Sequence, residues 1–214
     1  MIILGIDTAG HACSVCVWRD GMTLAHAEER MERGQDARLV PLVLEVMAQA
    51  GVDFAQLDRI AVTRGPGSFT GLRIGLSTAR GFALAADKPV IGISRFAVYH
   101  AQRKANPAPY LIVLDSKRQE LFCQTGAQEP CMLLPDVVAV LLRAQPDMVV
   151  VGDAAALLRE HLPETTVFAP LTEPEVVTAA ALAASAAVDD TEHLPRPLYL
   201  RAPDVTVAKA RGVA

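Results

Sequence analysis

The sequence RGPGSFTGLRIG, residues 64–75, joins a short apolar run at 60–63 to a helical pattern that continues to about residue 86. The β-branched run predicts a buried strand, and Gly-Pro-Gly predicts a tight turn after it. Ser68 or Thr70 is placed to cap the helix that follows. A helix N-terminus after a glycine turn can bind an anion, so Ser68, Phe69, Thr70 and Gly71 are candidate phosphate-loop residues. An ordinary strand-to-helix turn explains the same residues without a ligand.

The helix after this turn contains three glycines, Gly71, Gly75 and Gly81. Each costs roughly 1 kcal/mol relative to alanine, which predicts that another backbone approaches closely. That backbone is either a partner subunit or this chain's own preceding helix, expected at 37–50. On the first alternative, both helices contribute to a partner interface, with the candidate residues Leu39, Val43, Met47, Gly71, Leu72, Gly75, Leu76 and Ala79.

The composition indicates a globular protein with a substantial core. The chain has 214 residues, of which 51% are hydrophobic, and this is enough for one large domain or two small lobes. No apolar run reaches the roughly 18–20 residues that span a bilayer, and the N-terminus lacks the basic region of a signal peptide. We therefore expect a cytoplasmic protein without a membrane partner. The net charge of −4 argues against strong nucleic-acid binding by the chain alone.

The cysteines and histidines do not form a metal-site pattern. The cysteines form one C-x2-C pair, Cys13 and Cys16, and one wider pair, Cys123 and Cys131, and we expect all four to be buried free thiols. The five histidines have no ligand spacing, and none lies in the predicted helix 37–50. The sequence therefore predicts no bound metal and no catalytic residue.

Two halves of the chain repeat one pattern. The first half is predicted as βββαβαβα and ends at a Pro-rich linker near 105–109, after which the pattern starts again. Each half opens with an apolar strand that ends in an acid and a hydroxyl, Asp7-Thr8 and Asp115-Ser116. We predict two α/β lobes, 1–104 and 105–214, with a cleft at these strand ends and a loosely packed tail at 202–214. A metal–phosphate site would use such residues, and local turn chemistry explains them equally well.

Four stretches together resemble the TsaB (YeaZ) family: GIDTA (5–9), the central RGPGSFTGLRIG (64–75), VLDSKRQELF (113–122) and PLYLR (197–201). The resemblance implies the two-lobed actin-like ATPase/sugar-kinase fold. It also implies a role in forming N6-threonylcarbamoyladenosine at position 37 of tRNAs that read codons beginning with A. Proteins of this family act as the non-catalytic partner of the TsaD subunit, together with the TsaE ATPase.

Sequence differences from the catalytic relatives favour a non-catalytic scaffold role for this chain. TsaD carries an H-x3-H metal pair on the helix after its third strand, whereas the equivalent helix here has none, and Gln35 stands where many TsaB proteins have a histidine. Only Gly152 remains where a nucleotide-binding relative has a glycine-rich loop. We therefore expect no cofactor in the isolated chain, and the resemblance leaves room for a nucleotide only at the partner interface.

The expected partners are TsaD and TsaE, with a homodimer when the chain is alone and contact with tRNA only through the complex. Two other functions stay open at this point. A stand-alone glycoprotease-like metallohydrolase would need metal ligands, and a small-molecule kinase of the same fold would need intact phosphate loops in both lobes.

Overall fold

The structure is a computed structural model, and it describes residues 1–106, 108–126, 128–188 and 191–201. The predicted loose tail at 202–214 therefore lies outside the described residues. The strands are β1 (Ile2–Asp7), β2 (Ala12–Arg19), β3 (Met22–Arg30), β4 (Arg59–Thr63), β5 (Val90–Ile93), β6 (Tyr110–Asp115), β7 (Leu121–Gln124), β8 (Cys131–Leu133) and β9 (Val149–Val151). The α-helices are α1 (Gln35–Ala50), α2 (Phe69–Ala86), α3 (Arg95–Arg103), α4 (Pro135–Arg143), α5 (Ala155–Leu158) and α6 (Glu175–Ser185).

Two mixed sheets form the framework, one for each half of the chain. The first has the strand order β3-β2-β1-β4-β5 and the second the order β8-β7-β6-β9. In both sheets the first strand pairs antiparallel with the second and parallel with the strand that follows the first helix. The predicted α/β class with two lobes of similar topology is confirmed.

Helices cover both faces of the first sheet. On one face, α1 and α2 bury Leu39, Val43 and Leu76 against the side chains of β1, β2 and β4. On the other face lie α3 and α6, with Val98 and Val176 in the core. The helix α6 belongs to the second half of the chain but packs on the first sheet. The domain boundary between residues 104 and 105 stays a prediction, and it does not account for this helix.

The second lobe is smaller and packs against the first. On one face of its sheet, α4 and α5 bury Val138 and Leu158. The opposite face packs on Phe96 and Tyr99 of α3, together with Leu200 from the C-terminal segment. The helix α3 therefore contributes to the cores of both lobes, which it joins.

The structure adds one detail at the start of α1 and corrects one prediction about the cysteines. The residue before α1 is Gly34, with a φ of 92°, and α1 begins without a side-chain cap, although Asp36 lies in its first turn. Cys13, Cys16 and Cys123 are buried free thiols as predicted, whereas Cys131 on the edge strand β8 is exposed. None of the helices in the described residues is long and apolar enough to cross a membrane.

Candidate functional site

The central glycine motif packs against the turn between β1 and β2. The Ser68 N–H donates to the Ala9 carbonyl oxygen at 2.8 Å, and the Thr8 Oγ1 donates to the Gly71 carbonyl oxygen at 2.7 Å. Ser68 caps α2 as predicted, because its Oγ accepts from the Gly71 N–H at 3.2 Å. The strand end at Asp7-Thr8 and the start of α2 therefore form one rigid unit.

The glycines of α2 are required by this same contact. A Cβ atom at Gly71 would lie 2.0 Å from the Thr8 carbonyl oxygen, and one at Gly75 would lie 2.5 Å from the Thr8 Oγ1. A Cβ at Gly81 would meet nothing within 4 Å. The predicted close approach is confirmed at Gly71 and Gly75 and is wrong at Gly81. The approaching group is the turn after β1, so the partner subunit and α1 were both wrong as explanations.

The residues proposed for the partner interface are interior residues of this chain. All eight are buried within the first lobe, on the inner side of α1 and α2: Leu39, Val43, Met47, Gly71, Leu72, Gly75, Leu76 and Ala79. The list is therefore wrong as a set of surface contacts. The large apolar side chains that these two helices expose are Val40, Leu44, Phe69 and Leu84.

Hydrogen bonds within the chain hold both acidic strand ends. One oxygen of Asp7, Oδ1, accepts from the Ala9 N–H at 2.8 Å and from the Thr63 Oγ1 at 2.5 Å. In the second lobe, the Asp115 Oδ1 accepts from the Lys117 N–H at 2.7 Å. The Ser116 Oγ donates to the carbonyl oxygen of Glu120 and accepts from the Arg118 N–H. Turn chemistry is therefore present at both strand ends.

A cleft of about 1080 Å³ opens at the end of β1, with Asp7 and Asp153 among its lining residues. His11, from the turn after β1, also lines it, and its Nε2 lies 3.2 Å from the Asp115 Oδ2 at the end of β6. Six carboxylates line the cleft, from Asp7, Glu28, Glu32, Asp153, Glu173 and Glu175. They outnumber the cationic or titratable basic side chains in its wall, which are His11, Arg30 and Arg95. The cleft is therefore acidic, which disfavours an anionic ligand.

A buried ion-pair network closes the base of this cleft. Arg95, whose side chain is 1% exposed, contacts both oxygens of Glu175 at 2.6 Å and the Asp153 Oδ2 at 2.9 Å. Tyr99 donates its hydroxyl to the Glu175 Oε1 at 2.8 Å, and the Asp115 N–H donates to the Asp153 Oδ1. The network joins α3, α6 and the second sheet, so it links the two lobes.

Burial and pairing have opposite effects on the acids of this network. Burial raises the pKa of the Asp153 carboxyl, but Arg95 and the Asp115 N–H outweigh it, so this pKa lies below its ordinary value. Complete burial dominates at Glu175 and holds its pKa above the ordinary value, even opposite Arg95. Burial likewise raises the pKa of the Tyr99 hydroxyl. Pairing with Arg95 and the Asp115 N–H therefore favours the ionised form of Asp153.

This network could not be found from the motifs. Arg95 reads as an ordinary first-turn residue, and Glu175 as an acid at the start of a helix, where acids are common. The one available signal is Asp153 after Gly152, at a strand end that parallels Asp7. Within the described ranges, no group of three or more His, Cys, Asp or Glu is arranged to hold a metal ion.

Comparison with known proteins places this geometry in a family. Residues 29–134 match the family model described as TsaD, tRNA N6-adenosine threonylcarbamoyltransferase. The tRNA threonylcarbamoyladenosine biosynthesis protein TsaB of Escherichia coli is 40% identical over 124 residues, which are 57% of this chain and 53% of that protein. The solved structure of YeaZ from Pseudomonas aeruginosa superposes with a TM-score of 0.72 at 26% identity, covering 93% of this chain and 99% of that one. The chain belongs to the TsaB/YeaZ family.

The match to the curated TsaB of E. coli spans about half of that protein's length. Longer coverage comes from an uncharacterized protein of Mycobacterium tuberculosis, which is 32% identical over 94% of this chain and 92% of its own length. The fold extends beyond the family. The activator of 2-hydroxyisocaproyl-CoA dehydratase from Clostridium difficile has a TM-score of 0.56 at 11% identity, over 86% of this chain and 94% of that one. The two-lobed actin-like ATPase/sugar-kinase fold is thus confirmed.

Proposed function

We propose that this chain takes part in forming N6-threonylcarbamoyladenosine on tRNA, as a cytoplasmic, non-catalytic subunit that makes TsaD competent. Family membership supports the pathway, because the curated relatives are named for threonylcarbamoyladenosine biosynthesis. The observation that supports the non-catalytic role is that acidic side chains of the cleft are paired within the chain. Its acids at Asp7, Asp153 and Glu175 already bind partners within the chain, as a structural network does.

The exposed side of α1 and α2 supports the partner role. Val40 and Leu44 lie one turn apart on α1 and are 41% and 52% exposed. The neighbouring helix α2 contacts α1 and presents the open position at Gly81, where a second helix can approach closely. An apolar helix pair of this kind suits a protein partner. We propose that TsaD docks here, that TsaE joins the pair, and that the same face forms a homodimer when TsaD is absent.

Reconstitution tests the non-catalytic role. Purified TsaD, TsaE, threonylcarbamoyl-adenylate and tRNA should give modified tRNA only when this chain is added. Asp7→Asn keeps an oxygen that can accept from the Ala9 N–H and the Thr63 hydroxyl, but it removes the negative charge. We expect this variant to support at least about half of the wild-type rate, because Asp7 has a structural role. Loss of an essential general base would instead lower the rate by a factor of about 10² or more. A loss of that size with an unchanged melting temperature would show that Asp7 is catalytic.

The docking surface is tested by two matched substitutions of exposed apolar residues. Leu44→Glu on α1 should abolish co-purification with TsaD, because it places a charge on the exposed apolar face. Val140→Glu on α4 makes the same kind of change at a side chain that is 62% exposed on the other lobe. It should bind TsaD normally. Equal binding by both variants would contradict the proposed surface, and light scattering would show whether Leu44→Glu also dissociates the homodimer.

A further inference from the structure

A second cavity between the lobes has a chemistry opposite to that of the acidic cleft. It has a volume of about 420 Å³ and shares no lining residue with the cleft. The N-terminal turn of α2, the β6–β7 turn and the segment 198–201 enclose it. None of its described lining residues carries a carboxylate, whereas three arginines do line it, Arg73, Arg118 and Arg201. A volume of this size is sufficient for a small ligand.

Aromatic rings form the other part of the wall. Phe69 and Tyr199 are 52% and 44% exposed, and their ring centroids lie 5.4 Å apart at an angle of 31°. Phe122, from β7, is a buried residue that also lines the cavity. Two half-exposed rings in a concave site offer a surface on which a planar aromatic group can stack.

The position of Arg73 connects the rings to the charge. Its guanidinium lies 3.9 Å above the centroid of the Phe69 ring, and its Nε donates to the Tyr199 hydroxyl at 3.3 Å. The hydrogen bond to Tyr199 uses Nε, and the two terminal nitrogens belong to the same guanidinium in the cavity wall. Arg201 is paired with Glu120 and adds less charge. The start of α2 opens on the same cavity and contributes the positive end of its dipole.

We propose that this cavity binds a nucleoside monophosphate unit, with the base stacked on Phe69 and Tyr199 and the phosphate held by Arg73. Aromatic stacking combined with arginine is how proteins hold unpaired nucleotides. A free nucleotide and an unpaired nucleotide of an RNA strand present the same chemistry. The inference depends on the cavity alone and does not require the proposed function.

Calorimetric titration of the full chain with adenosine 5′-monophosphate and with hexa-adenylate RNA tests the proposal. Tyr199→Leu removes the exposed ring and Arg73→Gln removes the phosphate donor, and each should weaken binding by at least about fivefold. Arg33→Gln is the matched control, because it makes the same charge change at an exposed loop residue that does not line the cavity. It should bind as the wild type does. Melting temperatures establish that all three variants fold.

Each outcome decides the proposal or its source. Binding of the mononucleotide identifies a free nucleotide as sufficient, and binding of hexa-adenylate alone identifies an RNA strand as the source. Inorganic phosphate that binds as tightly as the mononucleotide would overturn the stacking role. No binding at about 1 mM of either probe, or equal binding by Tyr199→Leu and wild type, would overturn the proposal altogether.

Discussion

The two lobes share a strand order but differ in how their sheets are covered. The first sheet has helices on both faces, and one of them, α6, comes from the second half of the chain. The second sheet has helices of its own on one face, and its other face rests on α3 of the first lobe. Its helix α4 also leaves Val137, Val140 and Leu141 exposed. The comparison teaches that a duplicated topology does not give two independent units, because the second lobe completes its core with the first.

Breaking the link between the lobes should have the largest effect. Arg95→Met leaves Glu175 and Asp153 buried without their cation, and removal of one partner from a buried ion pair costs about 3–5 kcal/mol. We expect a large fall in melting temperature, with protease cleavage appearing first in the second lobe. Arg38→Met is the matched control, because Arg38 also binds two carboxylates, Glu29 and Glu45, but at the surface. It should shift the melting temperature far less, since exposed pairs contribute little.

Alanine substitutions at Gly71 and Gly152 test the close contacts beside β1 and β6, which are the first strands of the two lobes. Cβ atoms at Gly71 and Gly152 would lie 2.0 Å from the Thr8 carbonyl oxygen and 1.9 Å from the Val113 carbonyl oxygen. Each alanine substitution should cost about 1–3 kcal/mol by overpacking, and Gly152 more than Gly71 because its φ is 127°. Gly81→Ala meets no atom and should instead stabilise α2 by up to about 1 kcal/mol. Thermal unfolding checks all three, and a neutral Gly71→Ala would contradict the packing described here.

The two helices α1 and α2 of the first lobe differ in how their first turns are capped. Ser68→Ala removes the acceptor of the Gly71 N–H at the start of α2 and should cost about 1 kcal/mol. Asp36→Ala, at the start of α1, removes a carboxylate that caps nothing, so only its weaker interaction with the helix dipole is lost. Urea unfolding should therefore separate the two variants. Equal losses would show that Asp36 also acts as a cap.

The smallest expected effect is a pH dependence on the outer strands of the first lobe. Burial lowers the pKa of His26, whose Nε2 lies 3.2 Å from the Ser14 Oγ, and the nearby Glu28 opposes this only in part. Since the folded-state pKa is depressed, the unfolded chain binds the proton more readily, and stability is lost as the pH falls below the ordinary value near 6.5. Between pH 7 and 5.5, His26→Gln should lose less stability than wild type, by a difference of about 2 °C or less in melting temperature. An equal loss in both proteins would assign the pH dependence to other groups.

Local patterns were sufficient for most of the secondary structure. The strand β1 and the helix after Ser68 follow from side-chain period and turn residues, which act over a few positions of the chain. The helix α5 has only four residues, which is too short to show a helical period. Three-residue β8 and β9 carry too few side chains to set their bounds by pattern.

The sequence by itself indicated a close approach at the helix glycines, because each is costly relative to alanine, and this was right for Gly71 and Gly75 but not for Gly81. Only the tertiary structure decided that the group against Gly71 and Gly75 is Thr8, which is 63 residues before Gly71 in the chain. The same holds for Arg95 and Glu175, which are 80 residues apart, and for the helix α6 on the first sheet. Periodicity and capping report on neighbours along the chain, whereas these contacts depend on which distant surfaces are brought together when the sheets form. The composition of the cavity at Phe69, Arg73 and Tyr199 was set by that assembly for the same reason.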